Sequence, residues 1–361
     1  HDMVDTLYPD LKAVARTKGD VAIYIGNGHA AWEASLSNVF SKGDKALVLT
    51  TGRFGEGWAE AARGLGIDAN TLDFGRRNTI DPERLMSVLK ADKQHRIKAV
   101  MAVHTDTATT IRNDIPALRH CLDECSHPAL LMVDCIASLG CDRFEMDAWG
   151  VDVMIPASQK GLMTPPGLGF VWYSEKAMEA HQSAGLVTPY WNWTPRTRAS
   201  EFFRKFDGTA PTQHLYGLRE ALTMLLHEEG LEAVWARHAK LARSVWAALE
   251  CWGTVGEIRP NVSVGAIRSN AVTSVSMGAP HGTDLRRWVE ANTGVTLGIG
   301  LGMETPEDPN SDGYFRIAHM GHVNAHMTLG VLAAIDAGLK ALSIPHGAGA
   351  LEAATTVVSE C

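Results

Sequence analysis

The sequence predicts a doubly wound α/β domain with a mostly parallel sheet, followed by a smaller C-terminal α+β domain. The chain has 361 residues, and at roughly 150 residues per domain this length favours two domains. Apolar runs of strand length alternate with helical patterns through the first two-thirds of the chain. Continuous apolar strands separated by helices are typical of a parallel sheet that is covered on both faces. The remainder alternates strand-like pieces with helices, which is typical of an α+β domain.

The elements follow one another at regular intervals. The predicted strands of the large domain span residues 21–25, 45–49, 67–74, 97–103, 129–133, 151–155 and 168–173. Helical patterns lie between them at 30–40, 57–65, 81–91 and 116–125. A long helical stretch over 212–252 leads to predicted strands at 272–277 and 315–318 and helices at 284–292 and 324–342. We place the domains at 1–228 and 229–361.

Composition and charge exclude several classes of protein. Hydrophobic residues make up 45% of the chain and charged residues 20%, as in an average soluble protein. The net charge of −8 gives no general attraction to nucleic acid or to an anionic membrane. No uncharged apolar run reaches the ~18 residues of a spanning helix. The cysteines contain no CxxC pair, so we expect no metal site, mostly reduced thiols and a cytoplasmic location; they are Cys121, Cys125, Cys135, Cys141, Cys251 and Cys361.

A glycine turn follows the first predicted strand and opens a helix. The segment Gly26-Asn27-Gly28-His29 stands where an open α/β sheet binds its ligands. Free backbone N–H groups at such a helix start can bind a phosphate. An ordinary βα turn is the alternative. The GxGxxG pattern of dinucleotide-binding folds is not met, because position 31 is Ala.

Three charged side chains lie at positions where chemistry is possible. Asp134 closes an apolar strand, where burial is costly unless a cationic partner such as a protonated pyridinium nitrogen is present. Lys160 follows another apolar strand, and desolvation there would make it a Schiff-base amine. Arg316 lies on a strand of the second domain and could bind a carboxylate through two parallel hydrogen bonds. The alternatives are a capping acid, a solvated loop lysine and a surface ion pair.

Several motifs together resemble one family. They are Ser158-Gln-Lys-Gly-Leu-Met163, Pro165-Pro-Gly-Leu168, Met146-Asp-Ala-Trp-Gly-Val-Asp152, Tyr216-Gly-Leu-Arg-Glu220, Glu229-Gly-Leu-Glu232 and Arg316-Ile-Ala-His-Met-Gly321. With them the sequence resembles the fold-type I enzymes that use pyridoxal 5′-phosphate, specifically the class V aminotransferases of the alanine–glyoxylate and serine–glyoxylate group. The similarity covers almost the whole chain. It also implies that a native segment with the family's Pro-Gly-Pro turn is missing before His1.

The resemblance implies a role for each matching residue. Lys160 would hold the cofactor as an internal aldimine and then shuttle the substrate proton, and Asp134 would keep the ring nitrogen protonated. Arg316 would bind the substrate carboxylate. The implied cofactor-binding residues are Gly28, His29, Ala30, Phe54, Thr107, Asp134, Ile136, Gln159, Lys160, Phe206 and Thr209. Of these, Gly28, His29 and Gln159 would hold the phosphate, Phe54 and Ile136 would cover the ring faces, and Thr107 would bond the ring hydroxyl.

The resemblance also implies a reaction and an assembly. We expect transamination between a small amino acid, such as serine or alanine, and glyoxylate or pyruvate, in a homodimer whose sites are shared through Thr209. Pyridoxamine–pyruvate transamination and a lyase or desulfurase reaction remain alternatives. Departures from the family pattern at Asn27, His29, Asp106 and Thr110 leave the amino donor open.

Overall fold

The computed structural model describes residues 2–198 and 200–360. His1, Ala199 and Cys361 lie outside the described residues, and with them the outer ends of both predicted domains and the thiol of Cys361. The strands are β1 Asp20–Gly26, β2 Lys45–Thr50, β3 Asp68–Asp73, β4 Ile97–Val103, β5 Leu130–Asp134, β6 Val153–Ile155, β7 Gly167–Tyr173, β8 Arg259–Pro260, β9 Val272–Ser276, β10 Gly298–Ile299 and β11 Tyr314–Ala318.

Helices connect these strands and cover them. They are α1 Asp2–Asp5, α2 Leu7–Ala15, α3 Gly28–Val39, α4 Arg53–Gly64, α5 Pro82–Ala91, α6 Ile115–Glu124, α7 Glu175–His181, α8 Trp193–Arg198, α9 Thr212–Leu222, α10 Leu231–Trp252, α11 His281–Thr293, α12 Ala325–Ala341 and α13 Ala350–Ser359. Short 3₁₀ turns lie at Phe202–Lys205 and Gly265–Ile267, and a π-helical segment lies at Thr223–Glu229.

The large sheet is mostly parallel, as the sequence predicts. Its strand order is β1-β7-β6-β5-β4-β2-β3. The pairs β2–β3, β2–β4, β4–β5 and β5–β6 are parallel, whereas β7 is antiparallel to both β6 and β1. The reversal follows from the connection: residues 156–166 contain no helix, and a parallel return normally needs a longer crossover.

Both faces of this sheet are buried. Along β4, Val100 and Ala102 point into one core, and Ala99 and Met101 point into the other. Helices α2, α5, α6 and α9 contribute to the first core, and α3, α4, α7 and α8 contribute to the second. This double covering explains why the strands are continuous apolar runs rather than alternating ones.

The C-terminal part of the chain builds a second, smaller sheet. Its order is β10-β11-β9-β8, with every neighbouring pair antiparallel. Helices α10 to α13 pack on it around a separate core that contains Trp252, Phe315 and Leu332. The predicted continuous helix over 212–252 is wrong, because Gly230 (φ 87°) interrupts it between the π-helical segment and α10. The domain limits at 228 and 229 stay a prediction.

A buried arginine that forms no ion pair with a carboxylate among the described residues holds the segment after α7 against the sheet. Arg196 is only 1% exposed. Its guanidinium donates hydrogen bonds to the backbone oxygens of Ile23 (3.0 Å), Tyr190 (2.6 Å) and Lys205 (3.3 Å). The same group lies over the rings of Tyr24 (4.4 Å) and Tyr190 (4.8 Å). Arg196 therefore ties β1, the aromatic segment and the turn that leads to Phe206 together.

Arg196→Ala should lower the free energy of unfolding by about 3 kcal/mol, because several buried carbonyl oxygens lose their donor. Denaturant unfolding measures the change. Arg198→Ala is the matched control: that side chain is 49% exposed and meets Asp20 and Glu175 only at 3.9 and 4.0 Å. We expect the control substitution to lower the free energy of unfolding by less than about 0.5 kcal/mol. Equal effects of the two substitutions would contradict the anchoring role of Arg196.

Candidate active site

Asp134 ends β5 at the carboxyl end of the parallel strands, with its side chain fully buried. One carboxylate oxygen, Oδ1, accepts a hydrogen bond from the Ile136 backbone N–H at 2.7 Å. The other, Oδ2, accepts one from the Trp32 indole Nε1–H at 2.7 Å. Burial raises the pKa of this carboxyl to about 7; both hydrogen bonds and the charge of Lys160 oppose the rise, and the charge of Asp106 adds to it.

The carboxylate of Asp134 has capacity for one more strong donor. A carboxylate offers about four lone-pair positions, and no cationic side chain forms an ion pair with Asp134 in the part of the chain that the structure describes. A buried acid is stabilised by a cation within hydrogen-bond reach. The environment therefore suits a cationic N–H from a bound ring.

Lys160 lies in the loop that reverses the chain between β6 and β7. Ser158 closes this loop: its N–H donates to Leu168 O (3.0 Å), its hydroxyl donates to Pro165 O (2.8 Å), and its backbone oxygen accepts from Thr164 N (3.0 Å). Gly161 must lack a side chain, because a Cβ there would lie 2.0 Å from Leu139 O. The backbone of the loop that carries Lys160 is thus fixed on both sides of this residue.

The environment of Lys160 favours the neutral amine. Burial lowers its pKa most, the positive charge of Arg316 lowers it further, and the negative charge of Asp134 opposes both. A lysine whose pKa is lowered in this way has a larger neutral fraction than a solvated lysine at the same pH, and the neutral amine is the form that attacks carbonyl carbons and accepts protons. The predicted pair, Asp134 and Lys160, therefore lies close enough for the two charges to interact.

The turn before α3 differs from the sequence expectation. Gly28 begins the helix and approaches Ile136 closely, since a Cβ on Gly28 would lie 2.4 Å from Ile136 Cδ1. The expectation of free backbone N–H groups here is wrong for His29 and Ala30. The Asn27 side chain caps the helix and accepts hydrogen bonds from both, at 3.0 and 3.3 Å. The His29 imidazole is exposed beside this turn.

A buried amide next to Lys160 lacks a partner. The side-chain oxygen Oε1 of Gln159 is buried and has no hydrogen-bond partner in the described chain. Buried polar groups are nearly always satisfied, so an orphan of this kind indicates room for a polar partner. The buried carboxylate of Asp134 and the amine of Lys160 fit a flat ring that carries a basic nitrogen and an aldehyde. The Gln159 oxygen is an acceptor and needs a hydrogen-bond donor, so an anionic group on the ring would be bound by the amide N–H of Gln159 instead.

Asp106 joins two loops at the edge of the site. It is completely buried, and burial raises its pKa. Its carboxylate accepts hydrogen bonds from Phe54 N (2.8 Å) and Ala108 N (2.9 Å). These contacts place the half-buried Phe54 at the start of α4 and the buried Thr107 in the turn after β4.

Arg316 reaches this turn from the second domain. From β11 its Nε donates to Ile299 O (2.7 Å) and its Nη1 donates to Thr107 O (2.9 Å). Within residues 2–198 and 200–360, Nη2 makes no hydrogen bond. The guanidinium is therefore fixed by carbonyl groups and keeps donors for a carboxylate.

Two predicted site residues are not brought to this cluster within one chain. Phe206 is buried in the first core and packs against Phe202, with ring centroids 5.7 Å apart. Thr209 is exposed. The hydroxyl of Thr209 forms no hydrogen bond to Gln159 or to the start of α3 in the described chain.

Sequence reasoning missed the contacts of Trp32 and Asp106. Trp32 lies one helical turn after Gly28, and this spacing indicates that both residues face the same direction. The sequence holds no signal for its partner, because Asp134 is on another element more than a hundred residues away. Asp106 stands out in the sequence only as a departure from the family motif.

The thiols, possible metal ligands and long helices of the described chain add no further site. The cysteines Cys121, Cys125, Cys135, Cys141 and Cys251 are unpaired thiols. No group of His, Cys, Asp and Glu side chains among the described residues could hold a metal ion. In the same residues, no helix combines the length and the hydropathy that a membrane crossing requires.

The buried Asp134 carboxyl predicts a pH dependence of stability. In the ligand-free chain it keeps its proton up to about pH 7, whereas the unfolded chain loses it near the ordinary value. Its contribution is therefore complete below the unfolded pKa and is lost as the pH rises through about 7. We expect Asp134→Asn to gain stability relative to the native chain as the pH rises from about 4 to about 7, and the difference to stay constant above that.

Urea unfolding of both proteins across this range measures the difference. Taking the difference removes the effect of the buried histidines His104, His238 and His319. Burial lowers their pKa values to about 3, 4 and 4, so their effect on stability runs in the opposite direction. A difference between native chain and variant that does not change with pH would contradict the raised pKa of Asp134.

Comparisons with known proteins agree with this geometry. The sequence model of the family described as Aminotransferase class-V matches residues 18–306. The chain is 35% identical to a serine–glyoxylate aminotransferase of Arabidopsis thaliana, over 98% of this chain and 86% of that protein. It is 34% identical to the L-aspartate–glyoxylate aminotransferase of Paracoccus denitrificans, over 94% and 84% of the two chains.

Solved structures of aminotransferases share the whole fold. The ureidoglycine–glyoxylate aminotransferase of Bacillus subtilis superposes with a TM-score of 0.88 at 26% identity, covering 99% of this chain and 90% of that one. The pyridoxamine–pyruvate aminotransferase of Mesorhizobium loti gives a TM-score of 0.88 at 25% identity, covering 99% and 88%. The chain belongs to the class V aminotransferases, which have the fold-type I architecture and use pyridoxal 5′-phosphate.

Proposed function

We propose that this protein transfers an amino group between a small amino acid, serine or alanine, and a small 2-oxo acid, glyoxylate or pyruvate. The observation that carries the proposal is the meeting of a buried carboxylate, Asp134, with a desolvated amine, Lys160, at the carboxyl end of the sheet. The names of the relatives support glyoxylate as the oxo acid, with serine or aspartate as the donor.

The residues of the site fit the cofactor group by group. Pyridoxal phosphate supplies an electron sink when it is bound. Asp134 would accept the N–H of the ring nitrogen, and Lys160 would provide the amine that attaches the cofactor. We assign the remaining contacts as the sequence resemblance implies: Gly28, His29 and Gln159 on the phosphate side, Phe54 and Ile136 on the ring faces, and Thr107 at the ring hydroxyl, with Ala30 as a further cofactor contact.

Lys160 has a second task in this proposal. When it does not hold the cofactor, its Nζ would be a free amine in a partly desolvated loop. Burial and the charge of Arg316 lower its pKa, so a larger neutral fraction than that of a solvated lysine would be available to accept a proton from the substrate α-carbon. Because Ser158 and Gly161 fix the loop, the backbone of Lys160 is held in place, which would keep the amine within reach of the same site.

Arg316 would select substrates by their carboxylate. Its Nε and Nη1 are held by carbonyl oxygens of Ile299 and Thr107, so little side-chain freedom is lost when a ligand binds. Amino and oxo acids both carry the carboxylate that such a guanidinium binds through two parallel hydrogen bonds. The same anchor therefore serves both half-reactions.

We also propose a homodimer with shared active sites in the cytoplasm. Thr209 is exposed and lies after a segment that presents Phe203, with 54% of its surface accessible, to solvent. Ile25, at the end of β1 beside the glycine turn, is 40% exposed. Apolar side chains at such positions support an interface with a second copy. The unpaired cysteines support a reducing compartment.

Lys160→Ala should abolish turnover and leave the free energy of unfolding nearly unchanged, because the side chain carries chemistry rather than packing. Borohydride reduction of the loaded native protein should attach the cofactor to the peptide that contains Lys160. Lys176→Ala is the matched control, since Lys176 contacts Ala129 O near the start of β5. Labelling of any other peptide would contradict the proposal.

Arg316→Lys should raise the KM for the amino acid and for the oxo acid about tenfold or more, because Lys cannot reproduce the bidentate contact. Steady-state kinetics of both half-reactions measure this. An effect on only one substrate would show that Arg316 is not the shared carboxylate anchor.

A panel of donors distinguishes the proposed reaction from its alternatives. Serine, alanine, aspartate, glycine and pyridoxamine are tested against glyoxylate and pyruvate, with single-turnover spectra of the cofactor. We expect serine or alanine with glyoxylate or pyruvate to be fastest. Fastest turnover with pyridoxamine and pyruvate would favour the pyridoxamine–pyruvate alternative. Loss of sulfur or another side-chain group instead would indicate a lyase; the solved cysteine desulfurase at 15% identity shares only the fold.

Sedimentation over a dilution series tests the shared site. The loaded protein should remain dimeric at lower concentration than the cofactor-free protein, because a ligand bound across an interface stabilises the assembly by mass action. Thr209→Ala should weaken this linkage. A fully active monomer at high concentration would exclude a shared site.

A further inference from the structure

A tryptophan outside the predicted site residues contacts the carboxylate that faces the cofactor ring. The indole Nε1–H of Trp32, on α3, donates to Asp134 Oδ2 at 2.7 Å, and both side chains are buried. The Ile136 N–H occupies the other oxygen at 2.7 Å. The two donors fix the carboxylate plane from opposite ends, because each holds one oxygen. One lone pair on each oxygen remains for a ring N–H.

The hydrogen bond is not a general consequence of burying tryptophan in this protein. Trp58 stacks on Trp32 with ring centroids 6.2 Å apart, and its own Nε1 is buried without a partner in the described chain. Trp172 and Trp193 are also fully buried with unpaired Nε1 atoms. Packing alone therefore leaves several buried indole N–H groups unsatisfied in the described chain, whereas that of Trp32 donates to Asp134, as that of the buried Trp252 donates to Asp336 at 3.0 Å.

We propose, on the basis of the aminotransferase function above, that Trp32 is a positioning residue: its indole N–H orients Asp134 and favours the ionised carboxylate that a cationic ring nitrogen requires. A donor that bonds to a carboxylate stabilises its charged form. A proton shared between Asp134 and a ring nitrogen then lies on the ring, where it increases electron withdrawal. Trp32 thus acts on the reaction through Asp134.

The groups that face Asp134 divide into two sets. Burial raises its pKa most, and the negative charge of Asp106, from the turn after β4, raises it further. Lys160, from the loop after β6, and the hydrogen bonds of Trp32 and Ile136 lower it. The adjacent Cys135 stays a neutral thiol, because burial raises its own pKa.

Two histidines also lie near Asp134 and Trp32. The backbone N–H of His104 donates to the Asp134 backbone oxygen at 2.8 Å. The imidazole of His104 is neutral, because burial lowers its pKa to about 3. The His29 ring lies 4.6 Å from that of Trp32. Neither side chain donates to the carboxylate oxygens of Asp134. Trp32 is therefore the one side-chain hydrogen-bond donor to this carboxylate among the described residues.

Trp32→Phe tests the proposal, because it removes the N–H and keeps an aromatic ring. In the cofactor-free protein, infrared difference spectra follow protonation of Asp134, with Asp134→Asn identifying its band. We expect the midpoint to rise by about one pH unit, the effect of one lost hydrogen bond to a charged acceptor. In the loaded protein kcat should fall about tenfold with the amino-acid KM unchanged.

Trp58→Phe is the matched control, since it removes an indole that donates no hydrogen bond. If Trp32→Phe does not fold, 3-benzothienylalanine at position 32 keeps the shape of tryptophan and lacks the donor. An unchanged midpoint in either Trp32 variant, or an equal shift in Trp58→Phe, would overturn the proposal. The infrared titration needs no cofactor, so failure of the aminotransferase function would appear separately, as labelling of a residue other than Lys160.

Discussion

The burial of one carboxylate at the end of β5 is the constraint on which the rest of the site depends. Asp134 lies in the middle of the sheet, where desolvation raises its pKa to about 7. Such a group is stabilised only by donors, and the fold supplies them from α3 and from the turn at Ile136. Among the described residues these two donors leave a lone pair on each oxygen, which is where we propose that a cationic ring binds. The lysine loop, the glycine turn and Phe54 form a candidate site because they are placed around this carboxylate.

Lys160 lies near Asp134 because β7 runs antiparallel to β6, so that the loop between them stays at the carboxyl edge of the sheet. A helical crossover after β6 would carry the chain across one face of the sheet, whereas the short loop keeps it at the carboxyl edge. Ser158 and Gly161 then fix the loop so that the amine lies in a desolvated place. The second domain adds Arg316, held by Thr107 of the large domain. The site therefore depends on both sheets.

Much of this arrangement could be predicted from the sequence, and the exceptions share a physical cause. The parallel strands were predictable because burial on both faces makes them continuous apolar runs. The direction of β7 was not, since strand patterning carries no direction. The Asn27 side chain caps the N–H groups of His29 and Ala30, a local choice that glycine spacing does not reveal. The Trp32–Asp134 hydrogen bond joins residues that only the folded chain brings together.

The central claim is that Asp134 keeps the ring nitrogen of the cofactor protonated. Nitrogen NMR of the protein reconstituted with pyridoxal phosphate labelled at the ring nitrogen reads this protonation directly. The claim predicts a protonated nitrogen in the native chain across the neutral pH range and an unprotonated one in Asp134→Asn. The same protonated signal in both proteins would contradict it, and Asp134 would then be a buried acid with no part in the chemistry.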